Sequence, residues 1–170
     1  MQYILGIRKN REQETRILLR EIESEDAQYI VRWRAVPEVY QFFRSAHEIT
    51  LQEHLKWYNT QYLNDNDRKD FIAEEKETGK PIGVFSIKKL NSYEGRCAEV
   101  SYLLQPEAQK KGYGGEAVLV LIWLAKEKWS VTKMIAEIHE DNSPSIAFAK
   151  RLGFVRREQS GSFVVYEKSV

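Results

Sequence analysis

Hydrophobic and polar residues follow two kinds of pattern that alternate along this chain. Short apolar runs typical of strands recur throughout; they lie at residues 16–22, 70–75, 82–90, 96–104, 133–139, 154–158 and 163–168. Helical patterns separate them and cover residues 24–34, 37–43, 51–63, 116–129 and 143–151. Ser24 can cap its helix, Pro37 can start a new one, and Thr50 with Glu53 has the pattern of a capping box. With 24–34 and 37–43 counted as two pieces of one interrupted helix, the order β-α-α-β-β-β-α-β-α-β-β predicts an α/β fold.

The length of 170 residues suits one domain, which we place at residues 1–170. The longest apolar run, from Ala117 to Ala125, is too short to cross a bilayer and instead predicts a buried helix. Residues 1–15 are mostly polar and lack the apolar centre of a signal peptide, so we expect a cytoplasmic protein without a membrane partner. Residues 1–14 are expected to form either a loose N-terminal arm or an extra strand.

The charges of the chain are nearly balanced, because Lys and Arg number 26 and Asp and Glu number 25, which gives a net charge of +1. This balance argues against binding through many nucleic-acid phosphates, so no nucleic-acid partner is expected. Cys97 is the only cysteine, which excludes an intrachain disulfide. No residues have the spacing of metal ligands, so no metal is expected.

A glycine-rich segment between the strand at 96–104 and the following helix carries the strongest chemical signal. It reads Gln109-Lys110-Lys111-Gly112-Tyr113-Gly114-Gly115. Such a loop presents free backbone N–H groups and the positive end of the helix dipole, which together bind phosphate. It lacks the Lys-Ser/Thr of a Walker loop, and Ala117 stands where a dinucleotide loop has its third glycine. The segment therefore predicts a phosphate-bearing cofactor of another kind.

Two motifs together match one known family. Gln109, Gly112 and Gly114 form Gln-x-x-Gly-x-Gly, and about thirty residues later Asn142 precedes a predicted helix that ends at Gly153-Phe154. In this order and context the motifs resemble those of the GNAT superfamily of acetyl-CoA-dependent N-acetyltransferases. The resemblance covers roughly residues 15–168. It implies a mixed, mostly antiparallel central sheet with helices on both faces, and acetyl-CoA as the acetyl donor.

The resemblance also implies where coenzyme A binds. In this family the strand before the glycine loop and the strand that here ends near His139 splay apart, and the pantetheine arm pairs with exposed backbone in the gap. The implied cofactor-binding residues are Tyr102, Leu103, Leu104, Gln109, Lys110, Lys111, Gly112, Tyr113, Gly114, Gly115, Asn142, Ser145, Phe148 and Lys150. Asn142 could instead serve only as a turn or cap residue.

Glu99 is the candidate for the general base that removes the amine proton. Strand alternation places Glu99 and Ser101 on one face of the sheet and Tyr102 on the other. A carboxylate on a central strand is unfavourable unless it has a role or a partner, and the resemblance implies that a Glu here takes the proton, directly or through water. The alternative is an ion pair of Glu99 with Arg96 or Lys88.

The general acid is less evident from the sequence. Many GNAT proteins carry a Tyr seven residues after the Asn, and here that position is Ala149. Ser145 stands three residues after Asn142, as does a Ser that is a suggested proton donor in the ribosomal-protein N-terminal acetyltransferases. Ser145 could equally cap the helix that follows Asn142. The missing Tyr also leaves open a coenzyme A–binding module without catalysis.

The acceptor site is expected in the N-terminal half, with Trp33, Arg34, His54 and Trp57 as candidate substrate residues. This half resembles bacterial acetyltransferases that modify an amine on nucleotide-linked sugars, and also the ribosomal-protein N-terminal acetyltransferases. We therefore expect acetyl transfer to a primary amine of a small molecule such as a nucleotide-linked amino sugar, with a protein N-terminus as the alternative. Arg34 could hold a phosphate through its bidentate fork or lie in solvent. The last strand, 163–168, could pair with the same strand of a second subunit, so a homodimer is one expected possibility.

Overall fold

The computed structural model describes residues 3–4, 15–91 and 95–170. Within these ranges the strands are β1 (Tyr3–Ile4), β2 (Ile17–Glu21), β3 (Arg68–Glu75), β4 (Pro81–Leu90), β5 (Cys97–Leu104), β6 (Lys133–His139), β7 (Val155–Ser160) and β8 (Phe163–Ser169). The helices are α1 (Ala27–Arg34), α2 (Pro37–Tyr40), α3 (Leu51–Thr60), α4 (Tyr113–Trp129) and α5 (Ser143–Arg151). Short 3₁₀ turns occupy Ser24–Asp26, Tyr62–Asn64 and Pro106–Ala108.

The strands form one sheet in the order β1-β2-β3-β4-β5-β6-β8-β7. Neighbouring strands are antiparallel except for β5 and β6, which run parallel. Helices α4 and α5 cover one face, and α1 with α3 covers the other. The predicted fold class, a mixed and mostly antiparallel sheet with helices on both faces, is confirmed.

Two hydrophobic clusters hold these layers together. The larger lies under α4 and α5 and contains the fully buried Phe71, Phe85 and Leu121. The smaller lies under α1 and α3 and contains Ile30 and Trp33. Because each large apolar side chain stabilises the fold by roughly 1.5–3 kcal/mol when buried, the helices on both faces are anchored to the sheet that carries the site.

The strand and helix predictions agree with the structure to within a few residues, and the differences have local causes. Helix α4 begins at Tyr113 and not at residue 116, because Gly112 adopts φ 90° as the N-cap and the glycines after it enter the first turn. Helix α2 ends at Tyr40 and not at Phe43. Helix α3 ends at Thr60, after which the chain tightens into a 3₁₀ turn. In the N-terminal segment β1 pairs with β2, and the rest of residues 1–14 lies outside the described residues.

Strands β5 and β6 pair over only the first part of their length. Their parallel register joins Cys97 to Lys133, Ala98 to Met134 and Glu99 to Ile135. Beyond this point β5 continues along β4 to Leu104, and β6 continues along β8 to His139. The two strands therefore separate after Glu99, and the edge of β5 that would face β6 is open there.

Candidate active site

The segment that leads into α4 carries a run of unused backbone donors. The N–H groups of residues 110–114 donate to no group in the described part of the chain, whereas Gly115 and Glu116 donate to the carbonyl oxygen of Gly112. Lys110 and Gly112 adopt positive φ values of 60° and 90°. A run of unpaired N–H groups at a helix N-terminus, where the helix dipole is positive, forms an anion site.

Two glycines of this segment, Gly112 and Gly114, leave little room for a side chain. A Cβ atom at Gly112 would lie 3.0 Å from Nη2 of Arg16. A Cβ atom at Gly114 would lie 3.1 Å from Cδ1 of Leu104 and 3.3 Å from Cζ of Phe148. The backbone is therefore bare at both positions, as close approach of a bulky anion requires. With Lys110 and Lys111 exposed beside it, the segment fits the pyrophosphate of coenzyme A.

Three contacts hold the segment in place. The Gln109 Nε2 donates to the carbonyl oxygen of Leu104 at 3.2 Å, and the Arg16 Nη2 donates to the carbonyl oxygen of Lys111 at 2.8 Å. The Tyr113 hydroxyl donates to the Glu75 carboxylate. The side chain of Tyr113 thus packs into the core, and only its backbone N–H remains for an anion.

Glu99 lies on the sheet face that α1 and α3 cover, at the point where β5 leaves β6. Strand register places Lys88 beside it on β4 and Arg68 beside Lys88 on β3. Glu99 makes no hydrogen bond or ion pair to the described residues. The ammonium of Lys88 lies instead 3.7 Å from the carboxylate of Asp65. A half-buried carboxylate without a direct partner is poised to accept a proton.

The environment of Glu99 favours its protonated form. Burial raises the pKa of Glu99 above its ordinary value, and the negative charge of Glu137 on β6 raises it further. The positive charges of Arg68, Arg44 and Lys88 act in the opposite direction. A carboxylate with a raised pKa is a stronger base, which is what deprotonation of an amine requires.

A pocket of about 240 Å³ lies on the same face as Glu99. Ser101, two residues further along β5, lines it together with Ser86, which is opposite Ser101 in the β4 register. Its other walls come from α1, α3, the segment between α2 and α3, and strands β3, β4 and β5; they include Ile30, Arg34, Phe43, Ile49, Glu53, His54, Trp57, Arg68, Asp70, Val84, Tyr102 and Leu103. The pocket therefore opens beside the candidate base, where an acceptor amine would have to lie.

Arg34 is the charged group of this pocket that lacks a carboxylate partner among the described residues. Its Nε is buried without a hydrogen-bond partner there, its Nη2 donates to the Ser45 hydroxyl at 3.2 Å, and its guanidinium lies 4.5 Å from the ring centre of Phe43. Burial and the nearby charge of Arg68 lower the pKa of Arg34. An anion in the pocket would relieve both penalties.

The two carboxylates of the pocket are already engaged. Asp70 accepts from Nε and Nη2 of Arg68 at 2.8 Å each. Glu53 completes the capping box of α3, accepting from the backbone N–H of Thr50 at 2.7 Å while its own N–H donates to the Thr50 hydroxyl at 3.1 Å. The positive charge of Arg34 is therefore left without direct compensation in the pocket.

His54 and Trp57 lie together on the pocket side of α3. Their ring centres are 5.2 Å apart, and the Trp57 ring also carries the Arg68 guanidinium at 5.0 Å from its centre. Burial, followed by the charge of Arg34, lowers the pKa of His54. His54 is therefore neutral near pH 7 and presents a polar but uncharged ring to the pocket.

On the opposite face, α5 brings Asn142 and Ser145 to the open edge of β5. Asn142 is the N-cap of α5, and its Oδ1 accepts from the backbone N–H of Ser145 at 3.2 Å. Phe148, one turn later, meets the ring of Tyr102 edge-on with centres 4.9 Å apart. The capping role expected as one alternative for Asn142 is present. The Ser145 hydroxyl takes no part in the cap and is left beside Tyr102.

The structure brings most of the sequence-predicted residues to these two connected regions, but not all. Trp33 packs in the smaller core cluster against Tyr29, with ring centres 5.9 Å apart, and does not line the pocket. Lys150 is exposed on α5. Leu103 and Leu104 pack against opposite clusters, and Leu103 also lines the pocket.

Sequence reasoning missed Arg68, Asp70 and Glu137. These residues come near the pocket or Glu99 only through strand register and through the gap between β5 and β6. The Ser101 position did have a signal, because alternation places it on the face of Glu99.

Comparisons with known proteins agree with this fold. The family model described as an acetyltransferase (GNAT) domain matches residues 16–155. An N-acetyltransferase 9-like protein of Caenorhabditis briggsae is 30% identical over 125 residues, which cover 68% of this chain and 63% of that protein. An uncharacterized N-acetyltransferase, p20, of Bacillus licheniformis is 27% identical over 91% of this chain and 85% of its own. The match thus spans less than two thirds of the C. briggsae protein.

Among solved structures, a domain from Methanocaldococcus jannaschii superposes with a TM-score of 0.77 at 26% identity, over 92% of this chain and all of that domain. The chain therefore belongs to the GNAT superfamily of N-acetyltransferases, a class of acyltransferases that take the acetyl group from acetyl-CoA. In the described ranges no helix is long and apolar enough to cross a membrane. Nor do those ranges contain a cluster of three or more His, Cys, Asp or Glu residues fit to hold a metal ion.

Proposed function

We propose that the protein transfers an acetyl group from acetyl-CoA to the primary amine of a small molecule that also carries an anionic group, such as a nucleotide-linked amino sugar. The observation that carries this proposal is the position of Glu99. It stands where β5 and β6 part, beside the pocket, on the strand that leads to the free N–H groups of residues 110–114. One strand thus connects an acceptor pocket, a base and a phosphate site.

Each of these groups has a role in the proposed reaction. Bound acetyl-CoA supplies the acetyl group as a thioester. The N–H groups of residues 110–114 would hold its pyrophosphate, and the open edge of β5 would pair with the pantetheine amides. Glu99 would take the proton from the acceptor amine, which attacks only when neutral. Pocket and strand together hold the two reactants in line, which lowers the entropic part of the barrier.

The charge of the pocket supports an anionic acceptor. Arg34 has a buried Nε without a partner, while Asp70 and Glu53 are occupied by Arg68 and by the α3 cap. A guanidinium fork binds phosphate or carboxylate through paired hydrogen bonds. Trp57 and Phe43 provide rings on which a sugar or base could stack. A polycation would instead meet the uncompensated charge of Arg34.

The test is release of free thiol from acetyl-CoA in the presence of matched amines. We would compare nucleotide-linked amino sugars with the same amino sugars without the nucleotide, with spermidine as a polycation, and with peptides that bear ribosomal-protein N-termini. We expect the highest kcat/KM with a nucleotide-linked sugar. The Arg34→Gln variant should lose roughly 10- to 100-fold of it, since hydrogen bonds to charged groups contribute about 1.5–3 kcal/mol.

Arg32→Gln is the matched control, because Arg32 lies on the same helix, is exposed, and does not line the pocket. Its kinetics should equal those of the unchanged protein. Turnover of peptides alone would replace the sugar with a protein N-terminus as acceptor. Binding of acetyl-CoA without turnover of any amine would contradict catalysis and favour the coenzyme A–binding module.

A further inference from the structure

The hydroxyl of Tyr102 is a buried polar group that the fold does not use. Its oxygen has no hydrogen-bond partner in ordinary geometry among the described residues. Buried hydroxyl groups in folded proteins are almost always paired, because an unpaired one loses its contacts with water and gains nothing. An unpaired buried hydroxyl next to a candidate site indicates that a ligand atom is its missing hydrogen-bond partner.

The surroundings of Tyr102 fix where that ligand atom would lie. Its ring stacks on Phe85 of β4 with centres 6.2 Å apart and meets Phe148 of α5 edge-on. Tyr102 lies three residues past Glu99, in the part of β5 that no longer pairs with β6. Its ring therefore reaches from β5 to α5 on the side of the sheet opposite Glu99.

Ser145 is the polar neighbour of this hydroxyl. Burial raises the pKa of Tyr102, while the Ser145 hydroxyl and the charge of Arg151 lower it. The phenol therefore stays protonated at neutral pH and can act only as a donor towards a negatively charged atom. The sequence points to Ser145 as the general acid, but in the structure the buried hydroxyl without a hydrogen-bond partner among the described residues is that of Tyr102.

We propose that the Tyr102 hydroxyl donates the proton to the sulfur that departs from the acetyl group, in place of the tyrosine that is absent at position 149. This inference rests on the proposed acetyl transfer. In that step a bond forms between the acceptor nitrogen and the acetyl carbon, and the carbon–sulfur bond breaks with its electron pair on sulfur. The amine proton goes to Glu99, the Tyr102 proton goes to the sulfur, and solvent then restores both side chains.

The opposite placement of the two groups is what makes the assignment fit. Glu99 lies on the sheet face of the acceptor pocket and the Tyr102 ring meets α5 on the other face, because their positions on β5 differ by three, an odd number. A base on the nucleophile's side and a donor on the leaving group's side is an arrangement that assists acyl transfer. Ser145, held by Asn142 through its backbone N–H, would then position the phenol without being the donor.

The experiment compares Tyr102→Phe with the unchanged protein in two readouts. The first is the pKa of the thiol of bound coenzyme A, followed by thiolate absorbance and independent of any acceptor. We expect a lower thiol pKa in the unchanged protein than in Tyr102→Phe, because the phenol stabilises the thiolate.

The second readout is turnover. In Tyr102→Phe, kcat should fall on the order of 10²-fold while KM for acetyl-CoA stays within about twofold. With S-(4-nitrophenyl) thioacetate, whose thiolate leaves unaided, the two proteins should react equally fast.

A stability measurement on Tyr102→Phe and two further variants test whether any change comes from the loss of the Tyr102 hydroxyl itself. Tyr102→Phe should unfold at the same or a higher temperature, because it removes an unpaired buried oxygen. Tyr58→Phe is the matched control, since its hydroxyl lies 3.5 Å from the Ile22 carbonyl oxygen and outside the pocket; it should change neither readout. Ser145→Ala should reduce kcat less than Tyr102→Phe does.

The outcomes separate this inference from the proposed function. An unchanged thiol pKa and unchanged turnover in Tyr102→Phe would overturn the role of Tyr102 while acetyl transfer stands. A large loss in Ser145→Ala with none in Tyr102→Phe would make Ser145 the donor. A shifted thiol pKa in a protein that acetylates none of the amines would support the contact with sulfur and contradict the proposed acceptor.

Discussion

The guanidinium of Arg16 is hydrogen-bonded to the carboxylate of Glu116 across 100 residues of chain, with Nε and Nη2 donating to Oε1 at 2.8 and 2.6 Å. The backbone N–H of Arg16 donates to the other carboxylate oxygen at 2.8 Å. Glu116 lies in the first turn of α4, beside the free N–H groups proposed to bind pyrophosphate. Its negative charge would repel that ligand, and Arg16 neutralises it.

We therefore expect Arg16→Ala to weaken acetyl-CoA binding about two- to fivefold, because a charge near a helix terminus is worth about 0.3–1 kcal/mol. Adding Glu116→Gln to this variant should restore part of the affinity, since the repelling charge is then gone while the contact of Arg16 with the Lys111 carbonyl oxygen stays lost. Calorimetric titration with acetyl-CoA measures both. No recovery in the double variant would mean that Arg16 acts in another way.

The control for this prediction is Arg157→Ala. The Arg157–Glu167 pair has side-chain exposures of 55% and 17%, close to the 56% and 13% of Arg16 and Glu116, but it joins β7 to β8, away from the loop. Exposed pairs of this kind contribute little to stability. Acetyl-CoA affinity should therefore be unchanged in this variant.

The second prediction concerns Gly112. Replacement by Asp should weaken acetyl-CoA binding by more than about tenfold, because a left-handed conformation costs an ordinary residue roughly 1–2 kcal/mol and the new charge repels phosphate. Gly161→Asp is a matched control: this glycine also has a positive φ, 60°, but it lies in the β7–β8 turn with no atom near its missing Cβ. Equal acetyl-CoA affinity of Gly112→Asp and the unchanged protein would refute the phosphate loop.

Glu99→Gln should lower kcat on the order of 10²- to 10³-fold and leave acetyl-CoA affinity nearly unchanged, because the amide cannot accept the amine proton. The pH profile gives a second readout. The pKa of Glu99 is raised, so kcat/KM of the unchanged protein should fall as pH drops through a value above that of an ordinary Glu. The acidic limb due to Glu99 should be absent from Glu99→Gln.

Glu137→Gln provides the control for this pH dependence. Glu137 raises the pKa of Glu99 and is ion-paired with Arg44. Without the Glu137 charge, the pKa of Glu99 should fall, and the acidic limb of kcat/KM should move to lower pH. A limb that stays in place would assign it to a group other than Glu99.

The fourth prediction concerns the stability of the fold. Arg20 donates to both oxygens of Asp26 at 2.6 and 2.7 Å, with side-chain exposures of 10% and 4%. Asp26→Ala should lower the free energy of unfolding by roughly 3–5 kcal/mol, because it leaves a buried guanidinium only partly paired. Lys69→Ala, which breaks the more exposed pair with Glu21 (side-chain exposures 29% and 40%), should change it by less than about 1 kcal/mol. Thermal unfolding of both variants measures the difference.

Features that depend on neighbours a few residues apart could be predicted from the sequence. The Thr50–Glu53 capping box and the Asn142 cap were predicted and are present, because each needs only one turn of helix. Strand β6, predicted at 133–139, has those bounds, since its mostly apolar centre is followed by the turn residues Glu140, Asp141 and Asn142. The start of α4 was less accurate, because glycines in the first turn hide a helix from any propensity argument.

The features of the candidate site also fall into those that the local sequence predicts and those that only contacts across the fold reveal. The amino-acid sequence by itself determined the glycine loop, the candidate base Glu99 and the elements that carry them, since motif and alternation are local properties of the chain. Only the tertiary structure decided that Trp33 is core, that Arg34 lacks a carboxylate partner in the pocket, and that the Tyr102 hydroxyl lies beside Ser145. Those facts depend on which strands separate and which side chains meet across the sheet. Such contacts join residues distant in the chain, and their burial and charge arise only when the layers pack.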